Sequence, residues 1–170
     1  GLFMKESEMP SQVLGLLDKY NPDILVLTGH DSFSRSKRNK YKNTSSFVNA
    51  VMEARKYEKA HDKLIIIAGA CQSNYEELIR AGANFASSPK RINIHALDPA
   101  IIASHMSLAD INKDIDLKNI IASTKYGKEG ITKNQLYKNW EKSVKEKIQY
   151  KSSIKENFSC IIDIPKDCEC

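Results

Sequence analysis

Two matched stretches limit what this chain can fold into more than any other feature. Residues 23–32 read D-I-L-V-L-T-G-H-D-S, and residues 64–73 read L-I-I-I-A-G-A-C-Q-S. Each is a short apolar run rich in Ile, Leu and Val, followed by Gly and a polar tip. One tip carries His30 and the other Cys71. The stretch between them has helical periodicity. Two strands joined by a helix are expected to be parallel neighbours, because a parallel pair needs a crossover of a dozen or more residues. Their carboxyl ends then share one edge of the sheet, where open α/β sheets place their sites. An imidazole beside a thiol is the pairing that a cysteine nucleophile needs.

The rest of the chain fits the same plan. Residues 1–6 read as the end of a strand. Val13, Leu14, Leu16, Leu17 and Tyr20 fall at helical spacing after Pro10, and Asn21-Pro22 stops that helix. The run 24–27 lacks alternation, as expected of a parallel strand covered on both faces. A polar loop spans 28–44, with Thr44 or Ser45 as the expected cap of a helix striped by Phe47, Val48, Val51, Met52, Ala54 and Tyr57. After the strand 64–68, Tyr75, Leu78, Ile79 and Ala83 mark a helix, with Ser73 or Asn74 as cap and Gly82 at its end. Residues 84–89 read as a third strand and turn, and 92–97 as a short fourth strand. Helices are expected from Asp98 to about His105 and over 116–123. This alternation predicts an α/β fold: a three-layer αβα sandwich with a mostly parallel sheet. Residues 1–125 form the expected core. Residues 126–170 read as a Lys-rich segment, helical over 135–150, with an edge strand around Ile161, Ile162 and Ile164.

Composition narrows the function classes. A chain of 170 residues, 41% apolar and 28% charged, reads as one soluble globular domain. No apolar run nears the roughly 20 residues of a membrane span, and no secretory signal opens the chain. The strand-like Leu2-Phe3-Met4 directly after Gly1 predicts a piece of a longer protein. Net charge is +5, yet Arg35, Lys37, Arg38, Lys40 and Lys42 account for all of it, and no acid lies between Asp31 and Glu53. A basic character confined to one loop argues against a broad nucleic-acid-binding face. The cysteines are Cys71, Cys160, Cys168 and Cys170, too few for a secreted disulfide scaffold, so a reducing compartment is expected. Cys168-Glu169-Cys170 lacks zinc spacing and a second pair, so neither metal nor cofactor is implied.

Cys71 follows a buried strand and is expected just before a helix, whose N-terminus would favour the thiolate. Gly69 and Ala70 are small enough to let backbone amides reach a bound carbonyl, and the Cys71 amide can serve an oxyanion hole. His30 can take the thiol proton and return it to the leaving group. Alone, either residue reads as an ordinary buried thiol or loop histidine. Delivered by two matched strand ends, they read as a dyad, with His95 in reserve. No Gly-rich phosphate loop, G-x-S-x-G elbow or G-x-C-x-G elbow is present.

The two tips resemble the caspase–gingipain–legumain clan of cysteine peptidases, in which one strand ends in His, usually His-Gly, and a later one in Ala-Cys. Cys71 lies 41 positions after His30, compared with about 50 in caspases. The usual Gly after the His is Asp31 here, so the oxyanion role of that amide passes to Asp31. The longer strings I-I-I-A-G-A-C-Q-S-N-Y-E-E-L-I-R-A-G-A-N-F-A-S-S-P and R-I-N-I-H-A-L-D-P resemble the YabG family of sporulation-specific proteases from spore-forming Firmicutes. The resemblance covers roughly residues 1–125 and is most specific over 64–99. It implies a caspase/gingipain-like cysteine endopeptidase that processes spore coat and cortex-associated proteins, in the mother-cell cytoplasm or the coat. It also implies cleavage after Arg or Lys. A basic P1 side chain needs a carboxylate, for which Asp98 is the candidate and Asp31 the other nearby acid. Asp98 also suits a helix N-cap before Pro99. The basic loop 35–42 then becomes a candidate self-cleavage site. Two other classes fit the residues: a non-catalytic interaction module of the spore coat, and a small-molecule cysteine amidase. No nucleic-acid or membrane partner is implied.

Overall fold

A computed structural model describes residues 1–34, 40–109 and 115–134, and the backbone of 160–162. In chain order the elements are α1 (Met9–Tyr20), β1 (Ile24–Leu27), β2 (Phe33–Ser34), β3 (Lys40–Tyr41), α2 (Thr44–Tyr57), β4 (Ile65–Ala68), α3 (Tyr75–Ala81), β5 (Phe85–Ser87), α4 (Asp98–Ser107), α5 (Leu117–Ala122), β6 (Ile131–Lys133) and β7 (Cys160–Ile162). The expected loop residues Arg35, Lys37 and Arg38, the expected helix over 135–150, Ile164, Cys168 and Cys170 lie outside the described residues.

Five strands form one sheet in the order β6-β5-β4-β1-β7. All pairings are parallel except β5 with β6, which is antiparallel. Ile24, Leu25, Val26 and Leu27 are all buried, as are Ile65, Ile66, Ile67 and Ala68. The reason is that both faces are covered. Leu25, Leu27, Ile66 and Ala68 pack with Met9, Val13 and Leu17 of α1, Phe47, Val51 and Ala54 of α2, and Leu78 of α3. Ile24, Val26, Ile65, Ile67 and Phe85 pack with Ile102 and Met106 of α4 and with Ile120 and Ile121 of α5. The expected mostly parallel α/β architecture with helices on both faces is thus observed.

Local chemistry accounts for several helix boundaries. Pro10 sits in the first turn of α1, and Asn21 closes it in the left-handed region at φ 41°. Asn74 caps α3 by accepting from the Glu77 amide, and Gly82 ends it at φ 111°. Asp116 caps α5 through the amides of Lys118 and Asn119.

Four expectations need correction. Residues 1–5 form no strand, and Glu6–Glu8 form a single 3₁₀ turn; the sheet edge beside β1 is taken instead by β7. Residues 92–97 form no strand either. The free side of β5 is paired by β6, and the Ile92 carbonyl accepts from the Gln72 amide at 3.1 Å. Neither Thr44 nor Ser45 caps α2: the cap position is Asn43, and the Thr44 hydroxyl donates to Asp31. Cys71 does not adjoin a helix start, because α3 begins only at Tyr75. Strand β6, which sequence patterning does not reveal, lies past residue 125, as does β7, and the two form the outer edges of the sheet.

Candidate active site

The register between β1 and β4 pairs Leu27 with Ala68. His30 and Cys71 each lie three residues beyond that rung. The Gly69 amide extends the ladder by donating to the Leu27 carbonyl at 2.9 Å. Both tips therefore leave the same carboxyl edge at the same height, from adjacent strands. His30 is exposed and Cys71 half-buried, so both reach solvent.

The Cys71 turn is an unusual piece of backbone. Gly69 has φ 112° and Gln72 φ 57°, and in the facing segment Ser88 has φ 63° and Arg91 φ 54°. Three of these four are not glycine, and left-handed non-glycine residues persist only where surrounding bonds enforce them. Those bonds are present. The Gln72 amide donates to the Ser88 hydroxyl at 3.0 Å, and that hydroxyl donates to the Ile92 carbonyl at 2.7 Å. The Gln72 side chain accepts from the Phe33 amide at 3.0 Å and donates to Asn93 at 3.1 Å. Cys71 Sγ lies 3.5 Å from the Ile94 carbonyl, to which it donates. The turn is thereby held between the loop after β1 and the segment after β5.

The loop carrying His30 is fixed by carboxylates. Asp31 is buried, and its Oδ1 accepts from the amides of Ser32 and Asn43, each at 2.8 Å. Its Oδ2 accepts from the hydroxyls of Thr44 and Ser73, the latter at 3.1 Å. Asp31 thus joins β1, α2 and the Cys71 turn, with its carboxylate turned into the fold. The Asn43 side chain donates to the His30 carbonyl at 2.7 Å. Glu6 Oε1 accepts from the His30 amide at 2.8 Å and stands 3.6 Å from its Nδ1.

Asp98 is 1% exposed at the start of α4. Its oxygens accept from the amides of His95 at 3.2 Å and Lys125 at 3.0 Å. The expected N-cap role is not what is seen: Asp98 is the first residue of α4, the cap position is Leu97, and these bonds tie the loops before α4 and after α5 together. They also hold the residue next to Ile94, on which the thiol rests. His95 is exposed, and its Nδ1 accepts from the Leu97 amide at 3.2 Å. Beside the candidate site, the Phe33 and Tyr41 rings pack at 4.9 Å between centres, tilted by 40°. The Tyr41 hydroxyl accepts from Arg91 at 2.7 Å, and Arg91 pairs with Glu76 at 3.1 Å.

Sequence reasoning misses Glu6, Gln72, Ser73 and Ser88. None belongs to a recognisable spacing. Only the Gly29 before His30 hints at a close neighbour, and a Cβ there would lie 2.8 Å from Glu6 Oε1.

A mostly parallel sheet with helices on both faces defines an α/β protein, and an imidazole and a thiol leaving adjacent strand ends make the carboxyl edge its candidate site. The chain belongs to the YabG peptidase U57 family, which matches residues 1–139. It is 46% identical over 136 residues to the sporulation-specific protease YabG of Bacillus subtilis strain 168, a match covering 77% of this chain and 47% of that protein. The chain therefore spans about half the length of the curated relative it matches. No solved structure matches it.

Proposed function

We propose that this chain is the catalytic core of a cysteine endopeptidase of sporulation, with Cys71 as nucleophile and His30 as general base. One observation carries the reading: His30 and Cys71 stand equally far beyond the paired residues Leu27 and Ala68 of adjacent parallel strands. Membership of a peptidase family supports it.

The chemistry follows from the groups at that edge. His30 takes the proton from Cys71 Sγ, and the thiolate attacks the scissile carbonyl carbon. The amides of Cys71 and Asp31 donate to the oxyanion that forms. His30 returns the proton to the leaving amine, the C–N bond breaks, and a thioester remains on Cys71. His30 then deprotonates water, which attacks the thioester and releases the new carboxylate and the thiol. Protein groups and water carry every step.

The fold of this reading is caspase/gingipain-like, and its substrates are spore coat and cortex-associated proteins in the mother cell or the coat. Cleavage follows Arg or Lys. Asp98 supplies the buried negative charge on the segment that carries Ile94. Where the loop 35–42 is itself cut, the same specificity acts on this chain.

A fluorogenic peptide with Arg at P1 tests the proposal. Cys71→Ala and His30→Ala are each expected to lower kcat/KM by ~10³-fold or more. Asp98→Asn is expected to raise KM for the Arg peptide with little change for a neutral one. Turnover by Cys71→Ala at the parent rate would end the reading.

A further inference from the structure

We propose that Glu6 is a positioning residue of the site: its carboxylate orients the His30 imidazole and faces the charge that develops on it during proton transfer. The inference rests on the Cys71–His30 reading above and adds a third member to it.

Three observations meet at Glu6. Its Oε1 accepts from the His30 backbone amide at 2.8 Å, which pins that oxygen to the residue whose ring it faces. The same oxygen lies 3.6 Å from His30 Nδ1, within ion-pair range though longer than a hydrogen bond. Gly29 makes the approach possible, since a Cβ there would come within 2.8 Å of Oε1, 3.1 Å of Cγ and 3.3 Å of Cδ of Glu6. The Thr-Gly-His-Asp tip thus leaves room beside the histidine for a carboxylate from 24 residues earlier in the chain. Glu6 is placed by the 3₁₀ turn Glu6–Glu8, which runs directly into α1. Its side chain is 22% exposed against 53% for His30, so the carboxylate is the better shielded of the two groups.

The consequence is chemical. When Cys71 passes its proton to His30, the imidazole gains positive charge. A carboxylate at Nδ1 stabilises that charge, fixes the proton of the neutral ring on Nδ1, and leaves Nε2 to face the thiol. Contacts of this kind are often long in an unliganded site and shorten to hydrogen bonds when the charge develops. Because the backbone bond to His30 needs only an acceptor oxygen, Glu6→Gln keeps the tether while removing the charge. That separates a catalytic contribution from a merely structural one.

The test is the rate at which iodoacetamide alkylates Cys71 at pH 7, followed by peptide mapping, together with kcat and KM on the Arg peptide. His30→Ala, Glu6→Gln and Glu6→Asp are compared with the parent, each below its own melting temperature. Glu6→Gln is expected to slow alkylation by about tenfold and to lower kcat by ~10–100-fold with KM nearly unchanged. Glu6→Asp, which keeps the charge, recovers part of both losses. Slow alkylation in His30→Ala together with parent-like alkylation and kcat in Glu6→Gln would overturn the role of Glu6 and leave the dyad standing. Parent-like alkylation in His30→Ala would overturn the dyad, and the proposal for Glu6 with it.

Discussion

The carboxylate of Asp31 accepts a hydrogen bond from the Ser73 hydroxyl at 3.1 Å, tying the loop after β1 to the turn after β4. The same hydroxyl accepts from the Ala70 amide at 2.9 Å, one residue before Cys71. A single buried carboxylate therefore sets the position of the His30 loop relative to the thiol. Asp31→Ala leaves two hydroxyls and two amides without their acceptor, and is expected to cost ~2–4 kcal/mol of stability. Urea unfolding measures that cost. Ser73→Ala is the milder change, expected at about 1–2 kcal/mol, and turnover should fall in both.

Gly69 provides a second prediction. Its φ of 112° disfavours any L side chain, and an added Cβ would lie 2.8 Å from Leu78 Cδ1 and 3.1 Å from Ser87 Cβ. Gly69→Ala is expected to destabilise the fold by ~2 kcal/mol or more, from strain and overpacking together. A midpoint within error of the parent in denaturant would contradict this.

Arg55 anchors the opposite end of the site's supporting helices. It donates to the carbonyls of Gly82 at 2.8 Å and Leu64 at 2.9 Å, and to the Asn84 side chain at 2.6 Å. Asn84 in turn accepts from the Ile66 amide at 2.8 Å, so Arg55 locks α2, the end of α3 and the start of β4 together. Arg55→Ala is expected to cost ~2–4 kcal/mol. Arg55→Lys should recover little, because one ammonium cannot reproduce the fork.

His61 gives the protein an acid-side weakness. Burial, and then the neighbouring Arg55 guanidinium, push it down from 6.5 to about 4, against an opposing pull from Asp62. The unfolded chain takes up this proton near pH 6.5 and the folded chain only near 4. Between those values the unfolded state binds more protons, so stability is full above pH 6.5 and declines as pH falls toward 4. His61→Gln should flatten that part of the stability curve. An unchanged slope would show that other groups govern it.

The strands that bear His30 and Cys71 are legible in the sequence because a doubly covered parallel strand must be a continuous apolar run, and few other segments can be. The helix ends at Asn21, Asn74 and Gly82 are legible for the same kind of local reason. The segment 92–97 is misleading. Its alternation reads as a strand, but its carbonyls serve the Cys71 turn and its would-be partner pairs with β6. Asp31 is legible as an acid at the site but not as the hub of four hydrogen bonds, since Thr44 and Ser73 reach it from 13 and 42 residues away. Glu6 leaves no local trace, because its relation to His30 exists only once α1 has packed beside β1.

The proposed nucleophile is Cys71, activated by His30. The most direct measurement is covalent capture by a peptidyl chloromethyl ketone with Arg at P1, located by mass spectrometry. One adduct is expected, on Cys71, with none on Cys160, Cys168 or Cys170, and loss of that adduct in His30→Ala. An adduct on another cysteine, or undiminished capture without His30, would contradict it.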